Sequence, residues 1–224
     1  MEKIKNQIGG FLHRLGVSAN FVTVLGLLTA AGSAVFIFNC RFFWAGVLLA
    51  VSGVLDLVDG AVARASGKTG KFGGVLDSSL DRYGDGMVLG ALIIYFGMRS
   101  QALYAVLALS ALLGSFAISY VRARAECEVD SCRIGFWERG ERVSYLMLGL
   151  LLNNVQMALW VLGIFTHVTV FERLALSRRL LSERGTAPKG VFSLNRSRIS
   201  YLAQAAFWIF FLIFGRFKFP LFFG

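Results

Sequence analysis

Long apolar stretches alternate with short polar breaks along this chain, and the stretches are of membrane-crossing length. No charged residue occurs from Leu15 to Cys40, from Ser100 to Val121 or from Val143 to Phe171. A helix needs about twenty apolar residues to cross a bilayer core, and it can do so because its backbone polar groups are satisfied internally. The pattern predicts spans at 19–38, 42–64, 73–98 and 101–124, with residues 65–72 returning the chain between the second and third. The run from Val143 to Phe171 is 29 residues, long for one span and short for two. A hairpin turning near Asn153 and Asn154 accommodates it if the fifth helix begins near Glu138, which carries Arg139 and Arg142 into the edge of the membrane. The expectation is an all-α polytopic membrane protein with six transmembrane helices, one compact domain over residues 16–180. Residues 1–15 read as a short interfacial amphipathic helix. Residues 181–224 form a basic tail whose apolar segment, Ile199 to Phe214, is either interfacial or an extra span.

Composition supports this and charge orients it. The chain is 56% hydrophobic and 16% charged, where a soluble domain carries about a quarter charged residues. A net charge of +10 would suit a nucleic-acid partner, but its distribution does not. Basic residues gather at Lys3, Lys5 and Arg14, at Arg64, Lys68 and Lys71, from Arg122 to Arg142 and from Arg173 to Arg198, while the opposite helix ends carry only Arg41 and Arg99. This is the positive-inside bias of a cell-membrane protein, and it predicts that both termini and every basic cluster face the cytoplasm. Cys40, Cys127 and Cys132 suggest neither a disulfide nor, with no histidine nearby, a zinc site.

Against that apolar background, five of the six aspartates fall within thirty residues: Asp56, Asp59, Asp77, Asp81 and Asp85. Each carboxylate at membrane depth costs roughly 3 kcal/mol. Asp56 and Asp59 are spaced i,i+3 and Asp77 and Asp81 i,i+4, so each pair shares a helical face. Asp56 precedes Arg64 by eight residues and Asp81 follows Gly73 by eight, which puts both about 12 Å from their helix ends. Asp59 and Asp77 lie about 6 to 8 Å in. Neighbouring antiparallel helices would bring the four together at matching depths, where they could not all stay ionised uncompensated. An all-oxygen ligand set favours Mg²⁺ or Mn²⁺, one or two ions, and such ions suit a phosphate-bearing substrate. Ion pairing with Arg64 and Arg82, or a cation path, would also explain buried acids. A path would need polar groups continuing to the outer face, where 42–55 and 86–98 are apolar. Gly60, Gly73 and Gly74 beside the acids fit either helix packing or a phosphate lying against bare backbone.

Together Asp56, Asp59, Gly60, Ala63, Arg64, Gly73, Asp77 and Asp81 form D-x-x-D-G-x-x-A-R-x8-G-x3-D-x3-D, which resembles the signature of the CDP-alcohol phosphatidyltransferases. The similarity extends from about Leu15 to Arg179 and includes the entry S-A-N-F-V-T at Ser18, where family members carry Pro in place of Ala19. The resemblance implies a six-helix membrane enzyme, usually a homodimer, in which the hydroxyl of an acceptor alcohol displaces CMP from a CDP-linked lipid such as CDP-diacylglycerol or CDP-archaeol. It implies Asp56, Asp59, Asp77 and Asp81 as metal residues, with Asp81 also the catalytic base. Asp56, Gly60, Ala63, Arg64, Thr69, Gly73 and Asp77 would bind the CDP-lipid.

Two further blocks bear on the acceptor. S-Y-V-R-A-R-A-E from Ser119 and E-R-G-E-R from Glu138 resemble blocks of the phosphatidylinositol phosphate synthases and their archaeal archaetidylinositol phosphate counterparts. That resemblance implies an acceptor-phosphate pocket of Ser119, Arg122, Arg142 and Arg173 for a phosphorylated polyol, myo-inositol 1-phosphate. Arg122 stands where relatives often have Lys, and Gly140 replaces a Pro. Glycerol 3-phosphate, hence a phosphatidylglycerophosphate synthase, fits a basic pocket too. A non-catalytic transporter or scaffold is the reading of another class, and the intact aspartate set argues against it.

Overall fold

The computed structural model describes residues 9–11, 14, 16, 18–65, 71–128 and 137–183. Six long helices account for nearly all of them: α1 (Ala19–Phe38), α2 (Phe42–Ala65), α3 (Lys71–Met98), α4 (Ala102–Glu126), α5 (Arg139–Leu151) and α6 (Val155–Glu183). The first two expected spans are reproduced nearly to the residue, and the hairpin expected at Asn153 and Asn154 is there. Residues 9–11 and 14 are helical, within the stretch read as an interfacial helix. The tail and its apolar segment lie outside the described residues.

The helices pair as hairpins through one repeated device. Three residues separate α1 from α2, α3 from α4 and α5 from α6, and the middle one is left-handed each time: Cys40 (φ 60°), Ser100 (φ 58°) and Asn153 (φ 53°). The hydrogen bonds repeat as well. Arg41 N–H donates to Phe36 C=O (2.9 Å), Gln101 to Phe96 (3.0 Å) and Asn154 to Gly149 (2.8 Å). The left-handed residues donate three positions back, to Ile37, Gly97 and Leu150. These are Schellman closures, which satisfy the last carbonyls of a helix while reversing the chain. Arg99 ties the first two turns together: its guanidinium donates to Cys40 Sγ (2.9 Å) and lies 4.4 Å from the centre of the Tyr95 ring.

Four helices, α1, α2, α4 and α6, are long and apolar enough to cross a membrane. With the helical, strand-free fold of the described residues, they make this a multi-pass membrane protein. The remaining two helices differ for identifiable reasons. Helix α3 is long but carries Asp77, Asp81, Arg82 and Asp85; α5 has only 13 residues, about 20 Å.

Packing divides the molecule into two compact units. One comprises α1, α2, α3, α4 as far as Leu113, α5 and α6 as far as Gly163; the other contains α4 from Gly114 and α6 from Ile164. Helices α4 and α6, of 25 and 29 residues, each contribute to both units. In the first unit α1 packs against both α2 and α3, and α2 against α5. Small residues permit the close approach, as expected where apolar lipid supplies no hydrophobic drive for helix pairing. The Ser33 hydroxyl donates to Ala45 C=O (2.8 Å) and the Ser52 hydroxyl to Gly26 C=O (2.9 Å), both buried. A side-chain carbon on Gly46 would come within 2.8 Å of Leu151. In the second unit Ala125 on α4 packs against Leu176, Leu180 and Leu181 on α6.

Candidate active site

The aspartates meet where the cytoplasm-expected ends of α2 and α3 lie against α1. Carboxylate oxygens of Asp56, Asp59 and Asp77 fall within 4.8 Å of one another. Asp59 is only 5% exposed, and Asp59 Oδ2 and Asp77 Oδ1 are buried with no hydrogen-bond partner among the described residues. An unpaired buried acceptor is costly, and here two neighbouring carboxylates each present one. Oxygen donors at this spacing fit a hard divalent cation. Asp56, Asp59 and Asp81 border a cavity of about 20 Å³, with Arg139, Thr23, Gly26 and Ser52 among its other walls, large enough for one water-sized occupant.

Asp81 belongs to the same cavity but not to the close trio. Its partner is Arg139, at the first turn of α5. Arg139 Nη1 lies 3.0 Å from Asp56 Oδ1 and 3.0 Å from Asp81 Oδ1, and its Nε lies 3.7 Å from Asp85 Oδ1. Arg142, one turn further on, lies 3.9 Å from Asp85 Oδ2. Of the cations considered from the sequence, Arg82 donates to the Ser78 carbonyl on its own helix and acts electrostatically on Asp77 and Asp85, while Arg64 is exposed in the last turn of α2. Arg139, Asp85 and Thr23 had no assigned place in the site. The signal for Arg139 was available, since Glu138–Arg142 opens the fifth helix with two arginines three apart, and Asp85 follows Asp81 by one turn.

The glycines of the signature are not demanded by packing. A Cβ on Gly60 would sit 3.5 Å from Arg64 Nη1, and one on Gly73 would sit 3.8 Å from Asn20 Oδ1, both ordinary contacts; beside Gly74 there is open space. Ala63 is half-buried one turn beyond Asp59. Thr69 lies outside the described residues. Of the four acceptor candidates, Arg142 is in the first unit and 5% exposed. The other three belong to the second. There Ser119 donates to Ser115 C=O (3.1 Å), Arg122 pairs with Glu126 (3.0 Å), and buried Arg173 donates to Ile118 C=O (3.0 Å).

Fold and site define a polytopic helical membrane protein with a buried, cation-ready carboxylate pocket at the ends of its helices. Residues 16–171 match the family model for CDP-alcohol phosphatidyltransferase, and the chain belongs to that family. It is 35% identical over 177 residues to the archaetidylinositol phosphate synthase of Pyrococcus horikoshii, covering 78% of this chain and 91% of that protein. It is also similar to crystal structures of the Mycobacterium tuberculosis phosphatidylinositol phosphate synthase. With CDP-DAG bound, that enzyme aligns at a TM-score of 0.72 and 28% identity, over 85% of this chain and all of the other. In complex with manganese and citrate it aligns at 0.71 and 25%, over 88% and 98%.

Proposed function

We propose that this protein transfers a phosphatidyl or archaetidyl group from a CDP-activated lipid to a phosphorylated polyol, myo-inositol 1-phosphate, and releases CMP. The observation that carries the reading is the Asp56, Asp59 and Asp77 oxygen cluster, with two buried acceptors lacking partners, set on the family's own spacing. Relatives named for inositol phosphate products favour that acceptor over glycerol 3-phosphate.

Asp56, Asp59 and Asp77, with Asp81 completing the set, would hold Mg²⁺ or Mn²⁺, which supplies charge neutralisation of the diphosphate and stabilises CMP as leaving group. The chain's own residues then have positional tasks. Gly60 and Gly73 keep helix surface bare for the donor, with Ala63, Arg64 and Thr69 alongside it. Ser119, Arg122, Arg142 and Arg173 take the acceptor's phosphate by charge-assisted hydrogen bonds, a role supported by their match to the family blocks. The acceptor hydroxyl attacks the phosphorus bearing the lipid, the bond from that phosphorus to the CMP oxygen breaks, and the hydroxyl proton passes to Asp81. With one Asp81 oxygen turned to Arg139, the other is assigned to the proton. Holding the two substrates in line supplies much of the rate.

The proposed topology has six crossings, with α3 and α5 admitted by internal charge pairing, and the site and both termini in the cytoplasm as the basic clusters require. A homodimer is the assembly that the family resemblance implies. The test is CMP release by purified protein with Mn²⁺, offered CDP-diacylglycerol or CDP-archaeol and either inositol 1-phosphate, glycerol 3-phosphate or free inositol. Release with inositol 1-phosphate alone is expected. Release only with glycerol 3-phosphate would move the acceptor, and none with any acceptor would overturn the enzymatic reading.

A further inference from the structure

Among the described residues, Arg139 is the cation that contacts the acidic cage on two sides, and Asp56 is shared. The same carboxylate that lies within 4.8 Å of Asp59 and Asp77 is held at 3.0 Å by Arg139 Nη1. That nitrogen bridges to Asp81 at 3.0 Å, and Nε faces Asp85 at 3.7 Å. The guanidinium therefore lies among three carboxylates from two helices. Its fixed planar fork suits such bridging, where a lysine would act as a point charge. Asp85 in turn faces Arg142, so one acid lies between two arginines of α5, of which Arg139 also contacts Asp56 and Asp81.

The geometry points to Arg139 as a built-in counter-ion and positioning residue: it orients Asp56 and Asp81 and, as a fixed positive charge at the rim of the carboxylate cluster, sets how tightly divalent ions are held. This rests on the metal reading of the site given above. A carboxylate can offer one oxygen to a guanidinium and the other to an ion, so the two occupants of Asp56 are compatible. They are nonetheless like charges at close quarters, and each weakens the hold of the other. A moderate, tuned affinity suits a site whose ions must grip a diphosphate in the donor and release CMP afterwards.

The experiment is a Mn²⁺ titration of the purified full-length protein in nanodiscs, without nucleotide, followed by the electron paramagnetic resonance of free Mn²⁺. Three proteins are compared: wild type, Arg139→Gln and Arg139→Lys. Arg139→Gln keeps a hydrogen-bonding side chain and removes the charge, so Mn²⁺ should bind about tenfold more tightly or better. Arg139→Lys keeps the charge and should return the Kd to within about threefold of wild type, while leaving turnover depressed because the fork is lost. An unchanged or weaker Kd in Arg139→Gln overturns the role of Arg139 while leaving the metal reading intact. Failure of the wild type to bind Mn²⁺ overturns both. A lysine variant as tight as the glutamine one shows that charge is not the lever and likewise sinks the inference.

Discussion

Asp81 and Gly60 separate chemistry from binding at the level of single side chains. Asp81 lines the cavity without joining the three closest carboxylates, so replacing it by Asn should leave the donor site standing. Asp81→Asn is expected to lower turnover by about 10²- to 10⁴-fold, the usual contribution of a general base, with CDP-lipid affinity retained by equilibrium binding. A variant that turns over normally would remove Asp81 as the base. Gly60 gives the opposite split. An added methyl there meets Arg64 Nη1 only at 3.5 Å, and Gly→Ala inside a helix stabilises by about 1 kcal/mol. Gly60→Ala should therefore melt at or above the wild-type temperature and yet raise the apparent KM for the CDP-lipid. A normal KM would mean that the bare backbone serves the helix and not the donor.

The aspartate spacing was readable because period and depth are properties of a helix alone. The partner of those aspartates was not. Which side chain meets Asp81 depends on how α5 is rotated about its own axis, and that is set by packing against α2 at Gly46 and Leu151 rather than by anything local to Glu138–Arg142.

Among the elements, α5 is the one whose placement matters most for the pocket, since it carries Arg139 and Arg142. Its contact with α2 has no slack: a Cβ on Gly46 would fall 2.8 Å from Leu151 Cγ and 2.9 Å from Leu151 N, the latter a backbone atom at the closing turn. Gly46→Val should cost about 1 to 3 kcal/mol through overpacking, read as a lower melting temperature in detergent. Because the shift is passed along α5, activity should fall more than the stability loss accounts for at a temperature where the variant remains folded. Full activity per folded molecule would show that α5 tolerates displacement. Helix ends at the three turns were legible from polar breaks such as Asn39–Arg41, and α4 stops within two residues of the expected 124, its last turn braced by the Arg122–Glu126 pair at i,i+4. The far end of α6 was not legible, since that helix runs on to Glu183, well beyond the apolar stretch that closes at Phe171.

For the whole molecule, the charge bias predicts sidedness, and two exposed thiols can report it. Cys40 is in the turn between α1 and α2, and Cys127 follows α4. In oriented vesicles carrying single-cysteine variants, a membrane-impermeant maleimide should label Cys40 from the outer side and Cys127 from the inner side. Labelling of both from one side would break the proposed topology. Membership of the chemistry-bearing family was legible because its signature is local in sequence. The division into two packing units was not, because it arises inside α4 and α6, at Leu113–Gly114 and Gly163–Ile164, where nothing in the sequence interrupts the helix.

The three matching turns have a consequence for how the chain enters a bilayer. A helix bearing five charged residues, as α3 does, is a poor candidate to partition on its own. Coupled to α4 through only Arg99, Ser100 and Gln101, it can be ferried in as half of a hairpin whose other half is strongly lipophilic. In the proposed topology each hairpin would draw across the hydrocarbon a loop of just three residues with its N–H groups already occupied, and the last loop, Leu152–Asn154, brings no ionic group at all. Biogenesis in three such steps would put the acids into the membrane before any ion reaches them, with the arginines of α5 arriving last to quench their charge.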